Sequence, residues 1–170
     1  MEEIIVNKVA ESGLETIDLK EYYPEYKSVF FDIKEYLFKG LILKEKDFRE
    51  SLKGIHWENY KDKNVAIGCS VDAIVPVWAY MLIVSYLEPF VKEVVYGSIE
   101  FLQHSLFLKN LSKLDIHKYE GKRVVIKGCG DIQISEVAFV ELTRLLRPVV
   151  KSIMYGEPCS TVPIYKSKTK

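Results

Sequence analysis

Cysteine, histidine and net charge are all scarce in this chain of 170 residues. Its three cysteines include no CxxC pair. An odd, unpaired set excludes a disulfide framework and fits the reduced thiols of a cytoplasmic protein. The 24 basic and 24 acidic residues cancel, so the net basic face that a general nucleic-acid binder needs is missing. The opening Met1-Glu2-Glu3 is acidic where a secretory signal is basic, and no apolar stretch with a small-residue cleavage site follows. What is present is ordinary: 48% hydrophobic and 28% charged residues, the composition of a globular α/β or mixed domain. The expectation is a cytoplasmic protein that contacts neither nucleic acid nor membrane.

One segment tests the membrane part of that expectation. Residues 73–91 hold a single charge, Glu88, and are nearly long enough to cross a bilayer. Self-comparison supplies the answer. Tyr60-Lys61-Asp62-Lys63-Asn64-Val65-Ala66-Ile67 with Gly68-Cys69 aligns with Tyr119-Glu120-Gly121-Lys122-Arg123-Val124-Val125-Ile126 with Gly128-Cys129. The match continues through Leu87-Glu88-Pro89 and Leu146-Arg147-Pro148 to Tyr96-Gly97 and Tyr155-Gly156, 59 positions apart. In the second copy the helical segment is amphipathic, with Glu136, Glu141 and Arg144 where the first has Val77, Leu82 and Ser85. The first segment is therefore a globular helix with an apolar outer face, not a membrane span. Such a face calls for a cover, either the N-terminal segment or a second subunit, and the expectation is a homodimer, with another protein partner as the alternative.

Each copy reads as strand, loop, helix, strand. Short β-branched runs at 65–67 and 124–126 end at glycine, as buried parallel strands do. Helices are expected over 77–88 and 136–147, and second strands over 94–96 and 153–155. Residues 99–114 carry Leu102, Leu106, Leu111 and Leu114 near helical spacing. The fold class is α/β: a mainly parallel sheet of about four strands built from a duplicated β-α-β unit, with an N-terminal α/β extension. The boundaries are 1–59 for the extension, 60–98 and 119–162 for the two units, 99–118 for a linking helix and 163–170 for a basic tail. Within the extension, Asp32 and Glu35 form a capping-box pattern ahead of a helix ending at Gly40. A helix is expected over 45–53 and an edge strand over 16–19.

The chemistry is expected at the carboxyl edge of the sheet, where ligands meet parallel strands at a switch point of strand order. Cys69, Cys129 and Cys159 all follow strands, and the order 2-1-3-4 sets the first two side by side. Three thiolates can hold zinc or an iron–sulfur species with a fourth ligand from elsewhere. The bland alternative is that each cysteine is a small buried hydrophobe. A second candidate is an anion site on the turn Gly128-Cys129-Gly130, with Ser160 and Thr161 adding hydroxyls. Gln133 breaks the three-glycine dinucleotide fingerprint, and no GK[ST] follows. Asp72 and Asp131 read as helix caps before they read as acids or bases. His56 and His117 precede strands, at the opposite edge, so no Ser/His/Asp or Cys/His set assembles.

Several strings of residues together resemble a bacterial family of domains of unknown function, number 2480. They are Val29-Phe30-Phe31-Asp32-Ile33, Leu43-Lys44-Glu45-Lys46-Asp47-Phe48-Arg49, Asp72-Ala73-Ile74-Val75-Pro76, Lys127-Gly128-Cys129 and the run from Lys151 to Pro163. Ser135 stands where Pro76 leads one to expect proline. The resemblance implies no activity and no catalytic residue. It adds an association with iron–sulfur assembly, which favours the thiol reading: a binding or accessory protein in thiol, metal or iron–sulfur handling.

Overall fold

A computed structural model describes residues 13–128, 133–157 and 159–168. Seven strands are described: β1 (Leu14–Asp18), β2 (Ser28–Asp32), β3 (Asn64–Gly68), β4 (Glu93–Tyr96), β5 (Arg123–Lys127), β6 (Ser152–Glu157) and β7 (Ser160–Lys166). They alternate with helices α1 (Glu45–Lys53), α2 (Val77–Leu87), α3 (Ile99–Leu111) and α4 (Glu136–Leu146). The class is α/β. Among the described residues no helix is long and apolar enough to cross a membrane.

The chain divides into two compact units: a central unit, Glu25–Ser105, and a terminal unit made of Met1–Pro24 with Leu106–Lys170. In the central unit β2, β3 and β4 form a parallel sheet in that order. Every residue of β3 is buried. Both crossovers step the same way across the sheet, so right-handed connections bring their helices to one face. Phe48 and Leu52 of α1, and Ala79, Ile83 and Leu87 of α2, accordingly share one core with Phe31, Val65 and Ile67. Trp57 joins them and donates its indole N–H to the Leu52 carbonyl at 3.1 Å.

The terminal unit places β1, β5 and β6 in parallel and adds β7 antiparallel at the edge. Its core repeats positions of the first at a spacing of 59: Phe107 and Leu111 stand where the central unit has Phe48 and Leu52. Ala138, Leu142 and Leu146 answer to Ala79, Ile83 and Leu87. Backbone bonds recur at the same spacing. Asp62 donates to the Phe90 carbonyl at 3.0 Å and Gly121 to Val149 at 2.9 Å. Lys92 donates to Lys63, and Lys151 to Lys122, each at 2.8 Å.

Several sequence expectations are corrected by this arrangement. The four strands of the two copies do not share a sheet in the order 2-1-3-4; β3 and β4 lie in one sheet, β5 and β6 in another. Each sheet is completed from residues 1–59, because β1 pairs with β5 and β2 with β3. Strand β2 escaped notice since its Ser-Val-Phe-Phe-Asp has no polar alternation to mark a strand. Asp32 does cap, but its carboxylate accepts from the Lys34 amide at 3.0 Å and opens only a 3-10 turn, Ile33–Tyr36. A tight hairpin follows, with Lys39 and Gly40 at φ 51° and 71° and the Phe38 N–H donating to the Ile42 carbonyl at 2.8 Å. Residues 163–166, expected in a tail, continue β7. Pro163 is tolerated there because β7 is an edge strand.

Phe48 and Phe107 anchor helices α1 and α3 in their respective cores. Replacing either by alanine should cost about 3–5 kcal/mol, read as a lower urea midpoint. An unchanged midpoint for Phe48→Ala would show that α1 does not hold the central core.

Candidate functional site

The carboxyl ends of the central strands carry an open cleft of about 530 Å³ lined by Phe30, Gly68, Cys69, Ser70, Tyr96, Gly97, Ser98 and Ile99. Strand order here follows chain order, so the cleft owes nothing to a switch point. Two glycines shape it by letting aromatic rings approach the backbone. A side chain on Gly68 would meet the Phe30 ring at 2.9 Å. Gly97 adopts φ 136°, which side-chain-bearing residues rarely take, and its N–H donates to the Ile67 carbonyl at 2.9 Å. That bend directs the chain into Ser98, whose hydroxyl accepts from the Phe101 amide at 3.1 Å in the first turn of α3.

Asp32 fixes the opposite wall. Its carboxylate accepts from the Ser70 amide at 3.0 Å as well as from Lys34, whose ammonium lies 3.5 Å away. Partial burial alone would raise this carboxyl. The Ser70 hydroxyl and amide, with the Lys34 amide and charge, instead hold it below the ordinary aspartate value. The third wall is aromatic: Tyr80 of α2 meets Tyr96 edge-to-face at 5.0 Å. Burial raises the Tyr80 phenol, and Tyr96 and Cys69 beside it add to the rise, so it stays a neutral hydroxyl. Cys69 is half-buried, with its apolar side against the central core and a place in the cleft lining.

The terminal unit differs at the same end of its sheet. Phe139 and Tyr155 repeat the edge-to-face pair at 5.5 Å. Here, however, Gly128 lies against the Phe139 ring, and Lys127 pairs with Glu157 at 3.1 Å. Gly156, at φ 121°, lies under the backbone of Ser160 where β7 folds back. The Thr161 hydroxyl donates to the Met154 sulfur at 3.7 Å, and Cys159 is exposed in the turn between β6 and β7. Cys129, Gly130 and Asp131 lie outside the described residues. Cys69 and Cys159 belong to different units. Among the described residues no group of three or more His, Cys, Asp or Glu side chains converges to hold a metal.

Asp72 is not the cap of α2. Pro76 occupies that position without a side-chain bond, whereas Ser135 caps α4 by accepting from the Val137 amide at 3.4 Å. The serine where proline was expected is thus the better cap. Sequence reasoning found Cys69 but missed Phe30, Tyr96 and Ser98, and it read Asp32 only as a cap. One signal was available: Asp18-Leu19-Lys20-Glu21-Tyr22 and Asp32-Ile33-Lys34-Glu35-Tyr36 repeat a strand-end motif.

A family model for proteins of unknown function, DUF2480, matches residues 3–167. The chain belongs to this family. No curated protein matches it, and neither does any solved structure. Membership leaves the activity open, so the cleft must be argued from its own residues.

Asp18 provides an internal control for Asp32, since it accepts from the Lys20 amide at 3.0 Å in the equivalent turn. Asp32→Ala should lower stability by about 1–2 kcal/mol. Asp18→Ala removes the matching turn bond in the terminal unit and should also lower stability. A carboxyl held below its unfolded value stabilises when ionised, so the Asp32 contribution is complete above about pH 3.9 and fades as the pH falls through the folded value. Urea midpoints of wild type and Asp32→Ala should converge in acid; a gap independent of pH would mean that the charge is not what pins Ser70.

Proposed function

We propose that the chain is a binding protein whose ligand enters the Cys69 cleft of the central unit. The observation that carries this reading is the coincidence of an open cleft with the carboxyl ends of three parallel strands, where Gly68 and Gly97 let the Phe30 and Phe101 rings pack against the backbone. Mostly apolar walls with a few placed polar groups are the usual form of a small-molecule site. The ligand class is therefore a small molecule with a flat or aliphatic body and few hydrogen-bonding groups, held against the Phe30 and Tyr96 rings. Cys69, Ser70 and Ser98 line the cleft, with the Ser70 hydroxyl bonded to Asp32 and the Ser98 hydroxyl accepting from the Phe101 amide. Thiol handling remains part of this proposal through Cys69. An anionic ligand at Gly128, Ser160 and Thr161 draws less support, because Phe139 lies on Gly128 and the Thr161 hydroxyl is engaged.

The recurrence at a spacing of 59 supports a duplicated ancestral unit. On this reading each copy runs strand, 3-10 turn, helix, strand, helix, strand, and residues 1–59 supply the first strand of both. One copy kept its strand ends open while the other acquired β7 and an ion pair there.

The test is a fragment screen read by backbone amide NMR on the labelled protein. Aromatic or aliphatic fragments should shift Gly68, Cys69, Ser70, Gly97 and Ser98. Gly68→Ala, which drives the Phe30 ring toward the cleft, should abolish those shifts while leaving the fold intact. Shifts confined to other surfaces would sink the proposal. Zinc, iron and acid-labile sulfide should be assayed on the same anaerobic preparation. Stoichiometric metal lost in Cys69→Ser would replace the small-molecule reading with metal handling.

A further inference from the structure

Five of the exposed large apolar side chains of the central unit lie together. Leu41 is 62% exposed, Ile42 47%, Ile74 80%, Val77 74% and Met81 67%. They form one surface. The Ile74 N–H donates to the Leu41 carbonyl at 3.4 Å, and Ile42 and Ile74 are bridged in parallel. From Ile74, the positions of Val77 and Met81 continue along one side of α2 at helical spacing. The equivalent stripe on α4 is Glu136, Val140 and Arg144, exposed and mostly charged. The same helix position is thus solvated in one copy and apolar in the other.

We propose that this face is covered by a second copy of the chain, in a two-fold dimer. Area is the first argument. Five such side chains amount to roughly 500 Å² of apolar surface, at the upper end of what monomers leave exposed. A standard interface of about 800 Å² per partner, about 65% apolar in homodimers, needs a similar apolar area. Charge is the second. The chain carries no net charge to drive copies apart. Exposed Lys39 and Lys44 flank the Leu41 end of the patch, and exposed Asp72 precedes the Ile74 end. Because Leu41 and Ile74 are bonded neighbours, both signs of charge stand at one end of the patch, and a two-fold axis near that end lets the lysines of one copy meet the aspartate of the other. Lys44 already rests over the Phe38 ring at 3.3 Å, beside Leu41 and Ile42.

The experiment is light scattering on the eluting full chain over a range of concentrations, with sedimentation equilibrium as the second measurement. Wild type should show twice the 19.7 kDa chain mass. Val77→Glu with Ser85→Arg, which copies the solvated stripe of α4, should weaken dimerisation at least tenfold. Ile74→Lys alters the patch outside any helix and guards against a variant that fails to fold; it should do the same with an unchanged circular dichroism spectrum and melting temperature. A wild-type monomer at every concentration overturns the proposal and assigns the face to a different partner. A dimer untouched by both variants overturns it equally.

Discussion

The burial of β3 on both faces is the constraint from which the central unit follows. All five residues of Asn64–Gly68 are buried, and a strand with no solvated face needs neighbours on both edges and cover on both sides. Its one polar side chain is accommodated accordingly: Asn64 donates its amide to the Tyr26 carbonyl at 3.2 Å. Parallel neighbours demand crossovers, and crossovers supply α1 and α2 as the covering layer of one face. The strand also has to stop where its covering layer stops. Gly68 is that stop, and the absence of a side chain there is what brings Phe30 to the edge and leaves a cleft beside it.

The wall opposite Gly97 depends on a single carboxylate. Asp32 ends one strand, starts a 3-10 turn and reaches the amide that follows Cys69 on the next strand. A link of this kind carries the β2–β3 pairing two residues past the strand ends, from Asp32 to Ser70. It gives the Cys69 loop a fixed geometry even though its side chains are partly in solvent. In the terminal unit the equivalent Asp18 makes the turn, and Lys127 pairs with Glu157 at the strand ends.

Much of the fold was legible in the sequence. The helices expected over 77–88 and 136–147 and the strands expected at 65–67, 94–96, 124–126 and 153–155 match the observed elements to within two residues, because period and glycine stops agree there. Cys69 was placed on the right edge by the same logic. What was not legible is pairing. Nothing local in Ser28–Asp32 says that it is a strand, since buried parallel strands and apolar loop segments look alike, and nothing in β3 says whether its partner lies before or after it. The cleft was missed for a related reason: Phe30, Cys69 and Ser98 come from three separated segments, and only parallel pairing brings their ends together.

The terminal unit is assembled from the two ends of the chain, with the central unit inserted between β1 and its partner β5. This order has a consequence during synthesis. All three strands of the central sheet have emerged from the ribosome by Tyr96, while β1 waits more than a hundred residues for β5. At about 5–20 residues per second that interval lasts several seconds, far longer than a short segment needs to collapse or pair. A nascent β1 left with an open edge for that time is exposed to the wrong strand. The parallel edge of β2, built from a similar motif, is within reach in the same polypeptide. Rapid closure of the central unit, with its low sequence separation between paired strands, occupies one edge of β2 and leaves only its outer edge to compete before the true partner of β1 is made.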